Sequence, residues 1–337
     1  MECRRGELRW HARRIGTPVI DSAGTDRGLE VWLDGHFVPV QEAKVSAFDA
    51  GFQHSVGLFE TLVARNGRVF RPHAHVSRLE RTARELLLVE SLRVDALVEA
   101  INQTVAHNQL DSARVRLTVT GGALNLRLEQ PGRSDPTILI HAQPATATPP
   151  ELRTEGIRVC VADDRLSPLD ASGGAKTLNY WMRLLALQKA GAVGASESLW
   201  FTVSNHLAGG STSNALLFKG GTLYSPFARG EEPSGAIPSP VRAGVTREAL
   251  FELARQHGIP VECRTLDIND VLEADELMLV NSGWGVLPVV AVEQAAIGSG
   301  CPGELAGTLQ KGLEELVAQE TTYGIDPSDQ DSTPVPD

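Results

Sequence analysis

The chain has 337 residues, an apolar share of 42% and a formal net charge of −11. That is enough chain for one large or two modest domains with a real core, and the acidic balance argues against a nucleic-acid surface. No apolar run reaches the length of a membrane span, and the four scattered cysteines, Cys3, Cys160, Cys263 and Cys301, form no CxxC pair, so neither a zinc site nor a disulfide framework is expected.

Residues 1–28 carry six arginines and no periodic apolar pattern, and read as a disordered arm without a signal-peptide core. Order begins at Glu30–Pro39, where two short apolar runs flank Asp34-Gly35, a hairpin signal. Gly57 to Ala64 reads as a strand, followed by an Asn66-Gly67 turn and a second strand. Pro72 opens a helix, with His75, Leu79, Ala83, Leu86 and Leu87 at helical spacing. Arg78 lies on this helix, where a surface arginine is the default. Val94 to Leu110 is a second amphipathic helix. Arg114 to Thr120 and Thr137 to His141 are strands. Pro144 to Pro150 is a Pro/Thr-rich linker. The expected division is therefore a small domain at 29–143, a linker at 144–152 and a larger domain at 153–324.

The second half opens with a strand at Ile157 to Ala162. The stretch Ser172-Gly173-Gly174-Ala175-Lys176-Thr177-Leu178-Asn179-Tyr180 follows. It delivers a lysine at the mouth of a helix whose apolar run is Leu178, Trp181, Leu184, Leu185 and Leu187. The chain has five lysines, and Lys44, Lys189, Lys219 and Lys311 lie in polar loops or on outer helix faces. A lysine held at an element end and partly desolvated can serve as a Schiff-base nucleophile and proton carrier. On this stretch alone a solvated turn lysine is the default. A phosphate-binding P-loop is excluded, because Ala175 stands directly before Lys176, where that motif needs glycine. Strands follow at Leu199 to Val203 and Ala215 to Phe218, with Gly209 to Asn214 between them. Gly244-Val245-Thr246-Arg247 starts a helix running to His257. Val261 to Arg264, Leu277 to Val280 and the run through Val290 are strands, and a last helix covers about Gly303 to Gln319. The acidic, Pro-containing tail at 325–337 reads as disordered.

Several pieces suit an anionic cofactor. The Gly244-Val245-Thr246 helix start offers backbone N–H groups at a positive dipole end. Alone it would be an ordinary N-terminus capped by Thr246. Ser282, in a glycine-rich turn after a buried strand, adds a hydroxyl, and Arg78 can give a charge-assisted bidentate contact. A phosphate cradle and a lone amine, Lys176, together suggest pyridoxal phosphate.

The order of these pieces resembles the class IV aminotransferases, the fold-type IV pyridoxal-phosphate family. It includes branched-chain and D-amino-acid aminotransferases and aminodeoxychorismate lyase. The resemblance covers roughly residues 30–322. It rests on the Asp49 segment with Phe59-Glu60-Thr61, His75 to Leu79, Lys176 to Tyr180, Gly210 to Asn214, Gly244 to Arg247, and Ala274-Asp275-Glu276 through Val289. It implies an α+β fold of two domains, a small N-terminal one and a larger C-terminal one with a pseudo-barrel, in a homodimer; the scattered cysteines fit a reducing compartment, expected to be cytoplasmic. It implies pyridoxal 5'-phosphate as cofactor, and an amino acid and a 2-oxo acid as substrates. Lys176 would be the Schiff-base lysine and acid/base. Arg78, Val245, Thr246 and Ser282 would converge on the phosphate. Tyr180 matches a tyrosine that approaches the ring hydroxyl in some members. Phe59, Arg127 and Trp284 are the substrate-side candidates. Arg116 is an alternative to Arg127 for a substrate carboxylate, and either also reads as a plain surface arginine.

One position departs from the family pattern. Gly209 stands where the pattern has a glutamate that keeps the pyridine nitrogen protonated. Glu197 lies too far along the preceding strand to be assumed as its replacement. The implied reaction is amino-group transfer on a small or apolar substrate. The alternatives are a lyase releasing pyruvate and 4-aminobenzoate, to which Asn281-Ser282 is closer, and a weakly active or non-catalytic member, which Gly209 favours.

Overall fold

The computed structural model describes residues 28–123 and 135–323. The expected arm, the expected tail and Arg127 therefore lie outside the described residues, apart from Gly28. Two compact units emerge. The described parts of Ile20–Thr146, Lys176–Leu178 and Glu314–Asp337 make one, and Ala147–Ala175 with Asn179–Leu313 makes the other. The three residues from Lys176, placed by sequence in the second half, cluster with the first unit.

The first unit holds a six-stranded, wholly antiparallel sheet. Its strands are β1 (Glu30–Leu33), β2 (His36–Pro39), β3 (Gly57–Arg65), β4 (Arg68–Val69), β5 (Ala113–Thr120) and β6 (Ile138–Pro144), in the order β2-β1-β6-β5-β3-β4. Asp34-Gly35 and Asn66-Gly67 take positive φ at both turn positions, as two-residue hairpins require. The short helix α1 (Ala50–His54) is capped by the Asp49 carboxylate, which accepts from Gly51 N at 2.7 Å. α2 (Pro72–Glu85) and α3 (Val94–His107) follow. His75, Val76, Leu79 and Ala83 form the buried stripe of α2. Leu87 departs from the expected helical run. α2 has ended, Leu87 takes φ 56°, and its side chain is 90% exposed. Leu62, Ile101, Leu117 and Ile140 are fully buried in this unit.

The second unit holds a nine-stranded mixed sheet. Its strands are β7 (Ile157–Leu166), β8 (Glu197–Thr202), β9 (Leu207–Gly210), β10 (Asn214–Lys219), β11 (Thr222–Ser225), β12 (Val261–Cys263), β13 (Glu276–Asn281), β14 (Gly285–Val292) and β15 (Ala295–Ala296). They run β12-β11-β10-β13-β14-β7-β8-β9, with β15 paired to β14. β9 ends this path, yet three residues, Ser211 to Ser213, join it to β10, third from the other end. A flat sheet cannot make that connection, so the six strands from β10 to β9 curl into a half-barrel. The fold is α+β with a larger pseudo-barrel unit and a smaller sheet unit, as the resemblance implied. Leu199, Leu217, Leu277, Leu279 and Leu287 fill its core.

Helices α4 (Glu151–Thr154), α5 (Trp181–Ala192), α6 (Val245–Gln256), α7 (Ile268–Leu272) and α8 (Glu304–Tyr323) complete the α-helices among the described residues. α5 does not bury the apolar run read from its sequence. Trp181 is 71% and Leu184 47% exposed, and only Ala186 and Ala190 are buried. These small residues let the α5 backbone approach β8, where Ser198 Oγ donates to the Ala186 carbonyl at 3.0 Å.

Candidate active site

In the first unit, Lys176 to Leu178 lie along the start of β3. Phe59 N donates to the Lys176 carbonyl at 2.8 Å, and Leu178 N donates to the Gly57 carbonyl at 2.9 Å. Thr177 forms an isolated bridge with Leu58. The backbone of Lys176 is thus fixed like a short extra strand. Its side chain is half-buried, with Nζ 4.9 Å from the centre of the Phe59 ring. The Arg116 guanidinium lies 3.8 Å from the same ring centre. Two cations therefore share one aromatic ring, which concentrates positive charge at this place in the unit.

Beside them lies a buried charged cluster. Glu60 is on β3, in an otherwise apolar run, and is 2% exposed. Arg78 Nε donates to its Oε1 at 2.9 Å, and Arg78 Nη2 to its Oε2 at 2.6 Å. His75 Nδ1 lies 2.9 Å from Oε2. Burial pushes the Glu60 carboxyl up, but the Arg78 charge, the His75 hydrogen bond and the nearby Lys176 outweigh it and hold the group well below the usual carboxylate range. Burial chiefly pushes His75 down, against the opposing pull of Glu60, so the imidazole is neutral near pH 7. A neutral ring facing a carboxylate carries its proton on Nδ1 and donates it to Oε2. Sequence reasoning took Arg78 as an anion ligand and His75 as a face residue. The signal for the cluster was present: a lone glutamate in an apolar strand, and His75 and Arg78 one turn apart.

The second unit carries a polar cluster built on turns. Glu197, fully buried on β8, accepts from Ser198 N, Ser211 N, Thr212 N and Thr212 Oγ1 at 3.0–3.2 Å, and from Ser213 Oγ at 3.3 Å. Burial raises its carboxyl above the usual range, only partly offset by those donors. Glu197 therefore anchors the 211–213 turn, with its lone pairs turned inward on the backbone. Tyr180, the residue before α5, donates its phenol proton to the Ser211 carbonyl at 3.2 Å. Arg183 Nη1 donates to the Gly210 and Ser211 carbonyls, each at 3.1 Å. Neither Glu197 nor Arg183 was singled out by sequence as part of the site.

Gly209 sits on β9 at φ +123°, and a Cβ there would stand 2.8 Å from the Ser213 carbonyl oxygen. The backbone has taken a conformation that suits glycine and leaves no room for a carboxylate-bearing side chain. Asn214 ties this turn to the segment before α6, and Asn281 ties it to the end of β13. Asn214 Nδ2 donates to the Arg242 carbonyl at 2.9 Å, and Asn281 Nδ2 to the Thr212 carbonyl at 3.3 Å. Gly244 is the residue before α6, and a Cβ on it would fall 2.1 Å from Asn214 Oδ1. Only glycine keeps this close approach. The N-cap of α6 is thus Gly244, with no side-chain cap, rather than Thr246. Thr246 Oγ1 instead faces Ser282 Oγ at 3.3 Å. The first N–H groups of a helix have no intrahelical partner, so Val245 and Thr246 present two donors beside two hydroxyls. Asn281 Oδ1 accepts from Gly283 N at 2.8 Å and Trp284 N at 3.0 Å, fixing the Ser282 turn. Trp284 itself packs against the core, and its indole N–H donates to the Leu279 carbonyl at 3.1 Å. That is a structural placement for a residue read as a substrate candidate.

The profile of the family described as "Amino-transferase class IV" matches residues 57–292, more than half of the chain. The chain belongs to this family. A Methanocaldococcus jannaschii protein with a provisional branched-chain-amino-acid aminotransferase name is 30% identical over 88% of this chain and 98% of its own length. The crystal structure of the T.th. branched-chain amino acid aminotransferase with pyridoxamine 5'-phosphate matches with a TM-score of 0.78. It is 25% identical, covering 88% of this chain and 95% of that one. The 4-amino-4-deoxychorismate lyase of Pseudomonas aeruginosa matches with a TM-score of 0.72 and 30% identity, covering 85% of this chain and 98% of that one. The class IV family thus embraces relatives of two reaction types, and this chain resembles both.

Proposed function

We propose that this chain is a pyridoxal-phosphate-dependent aminotransferase that moves an amino group between a small or branched apolar amino acid and a 2-oxo acid. The observation that carries the reading is Lys176, a backbone-fixed, half-buried amine on the Phe59 ring beside a buried carboxylate and two guanidinium groups. The residues also fit the phosphate. The α6 start meets the Thr246 and Ser282 hydroxyls at a glycine that tolerates no Cβ. When bound, the cofactor supplies a ring conjugated to the substrate nitrogen, which makes the Cα proton removable.

The protein's own groups then have these roles. Nζ of Lys176 holds the cofactor and carries the proton to and from Cα. In the larger unit, Val245 and Thr246 N–H and the hydroxyls of Thr246 and Ser282 form an anion cradle, and in the smaller unit the Arg78 guanidinium is the charged anion ligand. Phe59 presents an apolar wall to the substrate. Arg116, stacked on that wall, is the candidate partner of a substrate carboxylate. Tyr180 and Arg183 hold the 210–211 carbonyls and so fix the turn in place of a side chain at 209. The assembly we infer is a homodimer.

A second reading is a lyase that releases pyruvate and 4-aminobenzoate. It is favoured by the Asn281-Ser282-Gly283-Trp284 turn and by the match to the Pseudomonas aeruginosa lyase. Gly209 favours slow turnover under either reading. The test is a visible absorbance scan of the purified protein with cofactor while amino donors are added, followed by product analysis. Leucine, valine or alanine should change the spectrum and yield the matching 2-oxo acid. Formation of 4-aminobenzoate from aminodeoxychorismate, with no response to those amino acids, would select the lyase.

A further inference from the structure

We infer that Arg229 is a positioning residue for Lys176, acting through the turn that delivers that lysine. The inference rests on the proposed cofactor reading and deepens it. Residues 170–175 precede Lys176 in the chain and belong to the second unit. Gly173 N donates to the Asp170 carbonyl and Ala175 N to the Ser172 carbonyl, each at 2.9 Å. Ser172 N and Oγ each donate to Asp170 Oδ1 at 2.9 Å. These contacts shape the turn from within but tie it to nothing outside it. Arg229, in the loop after β11, supplies the outside anchor. Its Nη1 donates to the Gly173 carbonyl at 2.7 Å and to the Asp170 carbonyl at 3.4 Å. Its stem lies on Gly174, which takes φ +81°. A Cβ there would stand 3.3 Å from Arg229 Cβ and 3.1 Å from the Val241 carbonyl oxygen. Arg229 N donates to that same carbonyl at 2.9 Å, so Arg229 and Val241 make a narrow seat for the turn.

The seat is itself held from below. Ala228 and Val241 are buried in a cluster with Trp200 and Ala208. Glu231 N donates to the Ala228 carbonyl at 2.9 Å, and Ala228 N to Glu231 Oε2 at 2.8 Å, which closes the 228–231 turn. Arg247, fully buried in the first turn of α6, grips the Glu231 carboxylate with Nη1 and Nη2 at 2.7 and 2.6 Å. Its Nε donates to Ser225 Oγ, at the end of β11, at 2.8 Å. A buried guanidinium does not leave its carboxylate without a large penalty, so the base under Arg229 is rigid. Attachment joins Nζ of Lys176 to an aldehyde carbon, while the two amine protons and the carbonyl oxygen leave as water. An amine on a fixed turn needs less ordering before that bond forms, which favours attachment.

The test titrates the apo-protein with pyridoxal phosphate and with unphosphorylated pyridoxal, by visible absorbance, and maps the borohydride-reduced adduct to Lys176. Arg229→Met keeps the stem and removes the donor. A buried hydrogen bond from a charged group is worth about tenfold or more in an equilibrium constant, and less where water reaches it. Arg229 is half-buried, so attachment of both aldehydes should fall about fivefold, with their ratio unchanged. Arg229→Lys, which keeps a cationic donor, should recover most of the loss. Amide exchange at Gly173 and Ala175 should quicken in Arg229→Met while β8 and β13 exchange as in wild type, which separates a loosened turn from a loosened protein. Arg229→Gln serves if Arg229→Met does not fold. Unchanged attachment in the folded variant, a loss confined to pyridoxal phosphate, or no recovery in Arg229→Lys would overturn the inference. A wild type that attaches neither aldehyde at Lys176 would instead overturn the cofactor reading itself.

Discussion

Replacing Gly209 by glutamate restores the family's usual residue on paper, and the structure predicts that it fails. Gly209 has φ +123°, a region that residues with a Cβ rarely enter. Holding a non-glycine residue in a sparsely populated region costs on the order of 1–3 kcal/mol. The added Cβ would also stand 2.8 Å from the Ser213 carbonyl oxygen, which belongs to backbone rather than to a flexible side chain. The 211–213 turn cannot yield freely, because Glu197, Tyr180, Arg183 and Trp200 all hold it. Adding overpacking of about 1–3 kcal/mol gives a total loss of roughly 2–6 kcal/mol for Gly209→Glu. Gly209→Ala carries the same Cβ and should lose a similar amount, which separates strain from charge. Urea unfolding followed by circular dichroism, with both variants beside wild type, measures the loss. Unfolding midpoints equal to wild type for both variants would refute the reasoning. A Gly209→Glu protein that is stable and faster in amino transfer would show that the turn accepts the side chain.

Other outcomes follow from the same contacts. His141 lies opposite Arg116 on β6, and burial, with Arg116 and Arg114 nearby, lowers its pKa to about 4. Its unfolded value is about 6.5, so stability present above that pH is lost as pH falls and the unfolded chain takes up the proton first. Wild type should lose up to about 2 kcal/mol between pH 7 and pH 5 that His141→Asn does not lose, by urea midpoints at the two pH values; equal losses would contradict it. Arg78→Ala strands the buried Glu60 carboxylate and should cost about 3–5 kcal/mol of stability in addition to cofactor affinity. Arg78→Lys keeps a cation and should fold while binding pyridoxal phosphate more weakly; full affinity for that variant would show that the two-point geometry is irrelevant.

Much of the fold was legible because its turns are chemically explicit. Asp34-Gly35 and Asn66-Gly67 could only be tight hairpin turns, and both take the positive φ values such turns need. Pro72 marked the start of α2, and the apolar strands announced β3, β5 and β13. Apolar periodicity misled at α5, where close approach of the helix is made by Ala186 and Ala190 and not by its larger residues. Lys176, Arg78, Thr246 and Ser282 were readable as candidates through their motifs and the family resemblance. Their supports were not, because Glu60, His75 and Glu197 act through partners that are distant in sequence or hidden in backbone turns. Asn214 and Asn281 belong to the same class. Each pins a glycine-rich turn through its side chain, and nothing in a linear sequence reports which carbonyl an asparagine will meet.

The claim on which the rest depends is that Lys176 carries the cofactor. Borohydride reduction of the cofactor-loaded protein, followed by proteolysis and peptide mass mapping, tests it directly. The account predicts one pyridoxyl group, on the peptide containing Lys176. A pyridoxyl group on Lys189 or Lys219, both of which the structure ties to surface carboxylates, or none at all, would contradict it.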